Sequence, residues 1–278
     1  MCNIRLAMTI LPWRTDMRSI WLAVFLLIPT ANASAHYHML IPDEHSVKAG
    51  QDVLVTYQFG HPFEHQLFDC EAPASATIFL PDSKEVDVKA QLKKVEINVE
   101  KNKKVVAYRL MFKPEQRGDY VLVFKSPAAK IEGEKEPVYD TVKVIVHVQV
   151  QKNWDTHTAN AKEQLADLVP LTRPYGLRPG MLFRAVFLDI SKTQSKASLP
   201  VKYAEVEIER YNHEPPKQLP PDEHTTYVAR TDEKGVVATT LPEAGWWAIT
   251  AIRHRPNGLH RCTFWVFVDG SIRLKPAE

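Results

Sequence analysis

Residues 140–150 read DTVKVIVHVQV, and this stretch decides the fold class. Valine occupies every second position from Val142 to Val148, and Lys143 and His147 stand among the valines. Alternation with a period of two sends successive side chains to opposite faces of a strand, and β-branched residues favour strands. The stretch therefore predicts a β-strand with one strongly apolar face.

Comparable runs recur along the chain and are separated by turn residues. Those of the first half are QDVLVTYQF at 51–59, SATIFL at 75–80, KKVEINVE at 93–100, KVVAYRLMF at 104–112 and GDYVLVFKS at 118–126. Those of the second half are LVPLTRP at 168–174, MLFRAVFLD at 181–189, AEVEIERYN at 204–212, YVARTDEKGVVATTL at 227–241, GWWAITAIRH at 245–254 and RCTFWVFVD at 261–269. Short strands at this spacing are typical of β-sandwiches rather than of βαβ units.

One stretch, QKNWDTHTANAKEQLADL at 151–168, interrupts the β pattern. Asp155 or Thr156 can cap a short helix that runs to Leu168. We therefore expect an all-β protein with two tandem Ig-like or prealbumin-like antiparallel β-sandwiches and a short helical connector. The predicted segments are a signal peptide at 1–35, an N-terminal sandwich at 36–150, the connector at 151–168 and a C-terminal sandwich at 169–278.

The first 35 residues have the composition of an export signal. Arg14 and Arg18 precede the apolar run IWLAVFLLIPTA, and two overlapping A-x-A patterns follow it. The patterns predict cleavage before Ser34 or before His36. The run is shorter than the roughly 20 apolar residues of a membrane span, and no second hydrophobic segment follows. We expect a periplasmic or secreted protein with no span after cleavage; the alternative is an uncleaved N-terminal anchor.

Charge and cysteine usage narrow the function further. The whole chain carries +2, and residues 1–35 also carry +2 from three arginines and one aspartate, so the remainder is neutral. A neutral chain argues against nucleic acid or anionic lipid as the main partner. Cys70 and Cys262 remain after cleavage, and in an oxidising compartment they form either a disulfide or two separate buried thiols.

Several motifs, taken in order, carry a resemblance to a known family. They are HYHMLIP at 36–42, AGQDVLVTYQFGHP at 49–62, GHPFEHQLFD at 60–69, VPLTRPYGLRPGMLFRAVFLD at 169–189 and TDEKGVVATTLPEAGWWAITA at 231–251. Together they resemble the secreted two-sandwich proteins associated with bacterial nickel and cobalt uptake, many of which consist of a domain of unknown function. The resemblance implies a periplasmic metal-handling role, with nickel or cobalt as the ion and a membrane metal transporter as a partner.

The histidines at the expected cleavage site suggest a metal chelate that cleavage itself completes. A cut before His36 creates an α-amine two residues ahead of His38, and a cut before Ser34 puts His36 at position three. An amine, two deprotonated amide nitrogens and a position-three imidazole form a planar nitrogen set that suits Cu(II) or Ni(II). Either cut therefore predicts the same type of site.

A second geometry uses side chains from two segments. The amine and ring of His36 can bind one ion together, and His38 shares a strand face with His36. His61 and His65 in GHPFEH can fold against them, with Glu64 as an acceptor that fixes a tautomer. We predict His36, His38, His61 and His65 as ligands of a divalent transition metal. The alternative is that His61 and His65 are surface loop residues.

Catalytic signatures are missing from the sequence: it contains no G-x-S-x-G, H-E-x-x-H, P-loop or C-x-x-C motif. We therefore expect a binding protein rather than an enzyme. Three hypotheses follow. The first is a nickel or cobalt binding protein that serves uptake, the second is a copper protein with an N-terminal histidine brace, and the third is a structural or adhesive sandwich without metal.

Mass spectrometry of the exported protein tests the cleavage hypothesis. We expect the mature chain to begin at His36 or at Ser34, because both positions follow an A-x-A pattern. A chain that begins at Met39 or later has lost the N-terminal histidines and contradicts both metal hypotheses.

Overall fold

The computed structural model describes residues 36–100, 103–131, 134–155, 166–190 and 198–271. Within these residues the chain forms strands and two short 3-10 turns, Lys89–Gln91 and Asp222–His224. The all-β prediction is confirmed.

The strands assemble into three sheets. The first contains β1 (Tyr37–Pro42), β3 (Val53–His61), β4 (Gln66–Phe68), β7 (Lys93–Glu100) and β8 (Lys103–Phe112). The second contains β2 (Ser46–Val47), β5 (Ser75–Phe79), β6 (Glu85–Asp87), β9 (Gly118–Lys125), β10 (Val138–Val148), β14 (Glu205–Arg210), β15 (Thr226–Arg230), β17 (Gly245–Arg255) and β18 (Gly258–Val268). The third contains β11 (Ala166–Pro170), β12 (Leu182–Asp189), β13 (Leu199–Pro200) and β16 (Val236–Thr240).

The order in the first sheet is β1-β3-β8-β7, with β4 paired to β3. The nine-stranded sheet runs β15-β14-β17-β18-β10-β9-β5-β6, with β2 paired to β10. In the third sheet the order is β11-β12-β13, and β16 pairs with β12. Most pairs are antiparallel, as the sequence predicted.

A parallel pair, β10 with β18, joins the two halves of the chain in the nine-stranded sheet. Val138 lies opposite Leu259, and Val144 lies opposite Trp265. Gly258 enters this pair with a φ of +137°, and a Cβ there would lie 2.3 Å from the carbonyl oxygen of Pro137. Only glycine fits such an approach without displacing the backbone. The sequence predicted antiparallel sheets, so the parallel pairing of β10 with β18 differs from that prediction.

The nine-stranded sheet is covered on both faces. In β9, Tyr120, Leu122 and Phe124 pack into one apolar core, whereas Val121 and Val123 pack into the other. The first core also receives side chains of β1, β3 and β8, and the second receives side chains of β11, β12 and β16. Burial on both sides explains the continuous apolar run of β18, because neither of its faces meets water.

The tryptophan pair of β17 follows the same rule. Neighbouring residues of a strand point to opposite faces, so an isolated sandwich would turn one of the two rings outward, but Trp246 and Trp247 are both buried. Trp246 packs into the first core and Trp247 into the second. The outward-facing ring is absent because a third sheet covers what would be the solvent face of an isolated sandwich.

The structure describes only the two ends of the predicted helical connector. Residues 156–165 lie outside the described residues, and Ala166–Pro170 is strand β11. The sequence assigned Leu168 to the helix, which is wrong. Its side chain is buried in the second core, where a strand pairs with β12. The division of the chain into sandwiches at 36–150 and 169–278 stays a prediction.

The second core makes a prediction about stability. Phe183 of β12 is fully buried, with its ring centre 6.0 Å from that of Phe264 on β18. Phe183→Ala should lower the free energy of unfolding by about 3–5 kcal/mol, because it removes apolar contact and leaves a cavity. Urea denaturation followed by tryptophan fluorescence measures the change.

The matched control is Val228→Ala on the edge strand β15, where the side chain is 61% exposed. This variant should stay within about 0.5 kcal/mol of the wild type. Equal effects of the two substitutions would contradict the packing of β12 against β18.

Candidate metal centre

Strand β1 places the N-terminal histidines. It pairs with β3, so that His38 lies opposite Phe59 and Tyr37 lies opposite Gly60. His36 and His38 both line a cavity of about 390 Å³, as the period of two predicts. Tyr37 points elsewhere and donates a hydrogen bond from its hydroxyl to Glu207.

A buried carboxylate holds the ring of His38. The Nδ1 atom of His38 lies 2.6 Å from Oδ2 of Asp140, and His38 is 4% exposed. A carboxylate only accepts hydrogen bonds, so Nδ1 donates to it, and in the neutral ring the lone pair is then on Nε2. This arrangement is the second-shell pattern that orients metal-binding histidines.

Arg261 in turn fixes Asp140. Its Nε and Nη2 atoms donate to the two carboxylate oxygens over 2.6 and 2.7 Å, and both side chains are buried. Burial by itself would raise the pKa of Asp140, but the charge of Arg261 and the hydrogen bond from His38 outweigh it. The pKa of the Asp140 carboxyl therefore lies well below its usual range. A permanently charged aspartate keeps the His38 tautomer defined.

His36 and His61 stand together although they are 25 positions apart in the chain. Their ring centres are 4.1 Å apart with an angle of 46° between the ring planes. Phe68 packs beside them, 5.0 Å from His36. Partial burial, with help from His61 and Arg261, lowers the pKa of His36 from 6.5 to about 4. His36 is therefore a neutral imidazole at neutral pH, which is the form that binds metals.

The cavity beside these rings is mixed in character. Phe59 and Phe68 form an apolar side, and the segment 127–131 forms the opposite wall. Asp69 and Glu71 bring carboxylates to its rim, and both are exposed. The cavity is open enough to admit an ion with its water or a small chelate.

The hairpin between β3 and β4 carries His61 and is tied to the second half of the chain. The backbone N–H of Phe63 donates to Oε1 of Glu209 over 2.8 Å. Asn212 donates from its backbone to the Pro62 carbonyl over 3.0 Å and from its side chain to the Phe63 carbonyl over 2.6 Å. Burial raises the pKa of Glu209 to about 8. These bonds define where the ring of His61 stands.

Gly60 begins this hairpin, and its backbone requires glycine. Its φ is +154°, and a Cβ would lie 2.1 Å from the carbonyl oxygen of Gln66. His61 follows Gly60 on β3, and because Gly60 lies opposite Tyr37 of β1, the antiparallel register puts His61 beside His36.

His65 packs against a residue from the second half of the chain. Its ring lies 5.7 Å from Tyr211, and its Nδ1 is buried with no hydrogen-bond partner among the described residues. Burial lowers its pKa. Oε2 of Glu64 is buried without a partner in the described chain, and the tautomer-fixing role predicted for Glu64 stays a prediction. For His38, Asp140 has that role.

Side chains alone do not complete a metal site. Across the described ranges, no group of three or more His, Cys, Asp or Glu residues is arranged to hold an ion. The planar chelate that a cut before His36 would form meets an obstacle as well. It needs Nδ1 of His38, which Asp140 engages, and amide nitrogens of a segment that is paired in a sheet. Of the four predicted ligands, His36 and His61 are a pair whose rings stand together.

Two further findings concern expectations from the sequence. Cys70 and Cys262 are free and buried, so of the two alternatives the separate thiols are found. Burial raises the pKa of Cys262 to about 12, which makes it unreactive as a nucleophile. No helix within the described residues has the length and apolarity needed to cross a membrane.

Comparison with protein families assigns the chain to a family. The model of the DUF4198 domain, a domain of unknown function, matches residues 33–255. The chain belongs to the DUF4198 family. The match spans both histidine segments and most of the described strands, and it brings no assigned metal or partner. No curated protein matches this DUF4198 protein.

Solved structures match the chain only at low similarity. A DUF4785 family protein of Legionella pneumophila is 10% identical with a TM-score of 0.28, and the match covers 79% of this chain and 54% of that one. The D0-D1 domain of Intimin is 12% identical with a TM-score of 0.21, covering 84% and 100%. The Yersinia pseudotuberculosis adhesin InvE is 11% identical with a TM-score of 0.24, covering 82% and 58%. The DUF4198 protein thus spans about half the length of the Legionella protein, and these scores carry no information on function.

The lowered pKa of His36 makes a prediction about pH. The unfolded chain takes up a proton near pH 6.5 and the folded chain only near pH 4, so the unfolded state binds more protons between these values. The contribution of His36 to stability is therefore complete above pH 6.5 and is lost as the pH falls towards 4. Urea denaturation between pH 4 and 7 should show this loss.

His36→Gln is the control because it removes the titrating ring. The variant should lose less stability than the wild type over the same pH interval. Identical pH profiles would show that His36 is not shielded in the folded protein. An NMR titration of the His36 ring chemical shifts measures its pKa in the folded protein directly.

Proposed function

We propose that the exported, mature protein binds one divalent transition-metal ion at the N-terminal end of β1. The ligands are the α-amine and ring of His36 and the ring of His61. Nickel or cobalt is the ion that the family resemblance of the sequence implies. The protein is then a metal-binding accessory of uptake, with a membrane metal transporter as the receiving partner.

The contact between the rings of His36 and His61 carries the proposal. A metal bound to imidazole at ~2.0–2.1 Å lies about 3.2 Å from the ring centre. Two such rings at right angles around one ion have centres about 4.5 Å apart. The observed 4.1 Å is close to that value, so the spacing of the two rings is compatible with joint ligation.

The neutral state of His36 supports the same reading. A lowered pKa means that no proton competes with a metal at neutral pH. The cause is local, because burial and the neighbouring ring of His61 both disfavour the imidazolium. If both rings were protonated, their positive charges would repel each other. Two neutral rings at this distance can instead both bind one metal ion.

His38 has a supporting role in this proposal. Its Nδ1 is held by Asp140, so Nε2 faces the cavity side of β1 as a preoriented acceptor. It serves as a fourth ligand or as a hydrogen-bond acceptor for metal-bound water. Either role depends on the Asp140–Arg261 pair that holds the ring.

Copper is the second candidate, and the ligand set favours it. One amine and two imidazoles, with the first residue binding through both of its nitrogens, form the histidine brace. A tetragonal arrangement of nitrogen ligands suits Cu(II). The family resemblance favours nickel or cobalt, whereas the geometry around His36 suits copper equally well.

Metal binding to the purified mature protein tests the proposal. We expect one ion per chain with Ni²⁺, Co²⁺ or Cu²⁺ by equilibrium dialysis and metal analysis. His36→Gln and His61→Gln should each weaken binding by more than tenfold. Asp140→Asn should weaken it about 10–100-fold, because the orienting carboxylate is lost.

The control variants separate the site from general effects. One extra glycine before His36 removes the chelating amine but changes no side chain, so it should also abolish tight binding. His224→Gln alters an exposed histidine and should leave binding unchanged. Wild-type protein that binds none of the three ions, with no change in melting temperature, would contradict the proposal and favour the structural or adhesive alternative.

A further inference from the structure

An ion pair lies inside the second core, away from the histidines. Nζ of Lys143 on β10 is 2.5 Å from Oδ1 of Asp167 on β11, and the two side chains are 2% and 0% exposed. Nζ also lies 5.3 Å from the centre of the Phe264 ring. An amine and a carboxyl group therefore touch in a site that bulk water does not reach.

Such a pair is costly to keep as two charges. Removing an ammonium and a carboxylate from water costs several kcal/mol per ion, and apolar residues of similar volume are often as stable or more stable. Transfer of one proton from Nζ to the carboxylate gives a neutral amine against a neutral acid, which an apolar core accommodates more easily. These are the reactants of an amide condensation.

The distance also suits a reaction. The carboxyl carbon of Asp167 is bonded to Oδ1, so it lies within about 3.8 Å of Nζ, close to the ~3–3.5 Å of a near-attack arrangement. Both groups sit on paired strands of packed sheets, which hold them in place without further ordering. Proximity of this kind replaces a collision between free molecules by a local step.

We propose that Lys143 and Asp167 join in an intramolecular isopeptide bond. Nζ forms a bond to the carboxyl carbon of Asp167, and one carbon–oxygen bond of the carboxyl breaks. The departing oxygen takes two protons from the ammonium nitrogen and leaves as water, so one amide N–H remains. The step needs no oxidant, reductant or cofactor.

A cavity near the ion pair has room for the released water molecule. A cavity of about 470 Å³ is lined by Ala166, Thr141 and Cys262, which neighbour the pair. The cavity therefore lies next to residues that adjoin the pair and has room for a water molecule. The amide that remains is neutral, so the reaction removes both charges from the core.

The bond would link two sheets covalently. Lys143 belongs to the nine-stranded sheet, and Asp167 belongs to the sheet that covers its second face. Cys70 and Cys262 are free, so no disulfide between them supplies such a link. An isopeptide bond does this without dependence on the redox state of the compartment.

Mass spectrometry of the intact wild-type protein decides the question. We expect a mass lower than that of the sequence by one water, measured against the N-terminus found in the same experiment. After digestion with trypsin, residues 136–152 should appear joined to residues 163–184, since modified Lys143 is not cleaved. The exposed pair of Lys104 and Glu96, 3.0 Å apart, is an internal control and should be cleaved normally.

Variants confirm the chemistry. Lys143→Met and Asp167→Ala should keep the full mass of their sequences. Asp167→Asn should form the same amide with loss of ammonia and reach the mass of the linked wild type. Folded wild-type protein at the full mass of its sequence, with peptides 136–143 and 163–184 recovered separately, overturns the proposal.

Discussion

The parallel pairing of β10 with β18 is the constraint on which the rest of the structure depends. It places strands from both halves of the chain in one sheet and so allows two cores to share that sheet. The register of the pair sets Asp140 beside Arg261. Their bidentate contact then holds His38, so the geometry of the histidine cluster at the N-terminal edge follows from a contact between distant strands.

The sequence was informative wherever a local pattern decides the outcome. Alternation in DTVKVIVHVQV predicted β10, and the spacing of His36 and His38 predicted that they share a face. It failed where the partner of a face is distant in the chain. Lys143 occupies a position that is solvated in a two-layer sandwich, but it is buried because a second core covers that side. Trp246 and Trp247 show the same effect, and Leu168 is a strand residue because it enters this core.

Some residues of the candidate site could be predicted from the sequence, and others could not. His36 and His61 could be chosen from the sequence, since chelating residue types near an expected cleavage site are visible there. Asp140 and Arg261 could not, because 102 residues separate Asp140 from His38 and nothing local marks an aspartate as a histidine partner. His65 resembled His61 in its motif, and only the docking of the hairpin on Asn212 and Glu209 separates the two.

The parallel pair of β10 and β18 also determines the order in which parts of the protein fold. Arg261 lies on the last strand of the described chain, and pairing between segments so far apart in sequence is slow to form. Until β18 docks, Asp140 has no guanidinium to balance its charge and the ring of His38 has no fixed orientation. Strands β1 and β3 can pair early, yet the histidines they carry reach their final arrangement only when the fold closes.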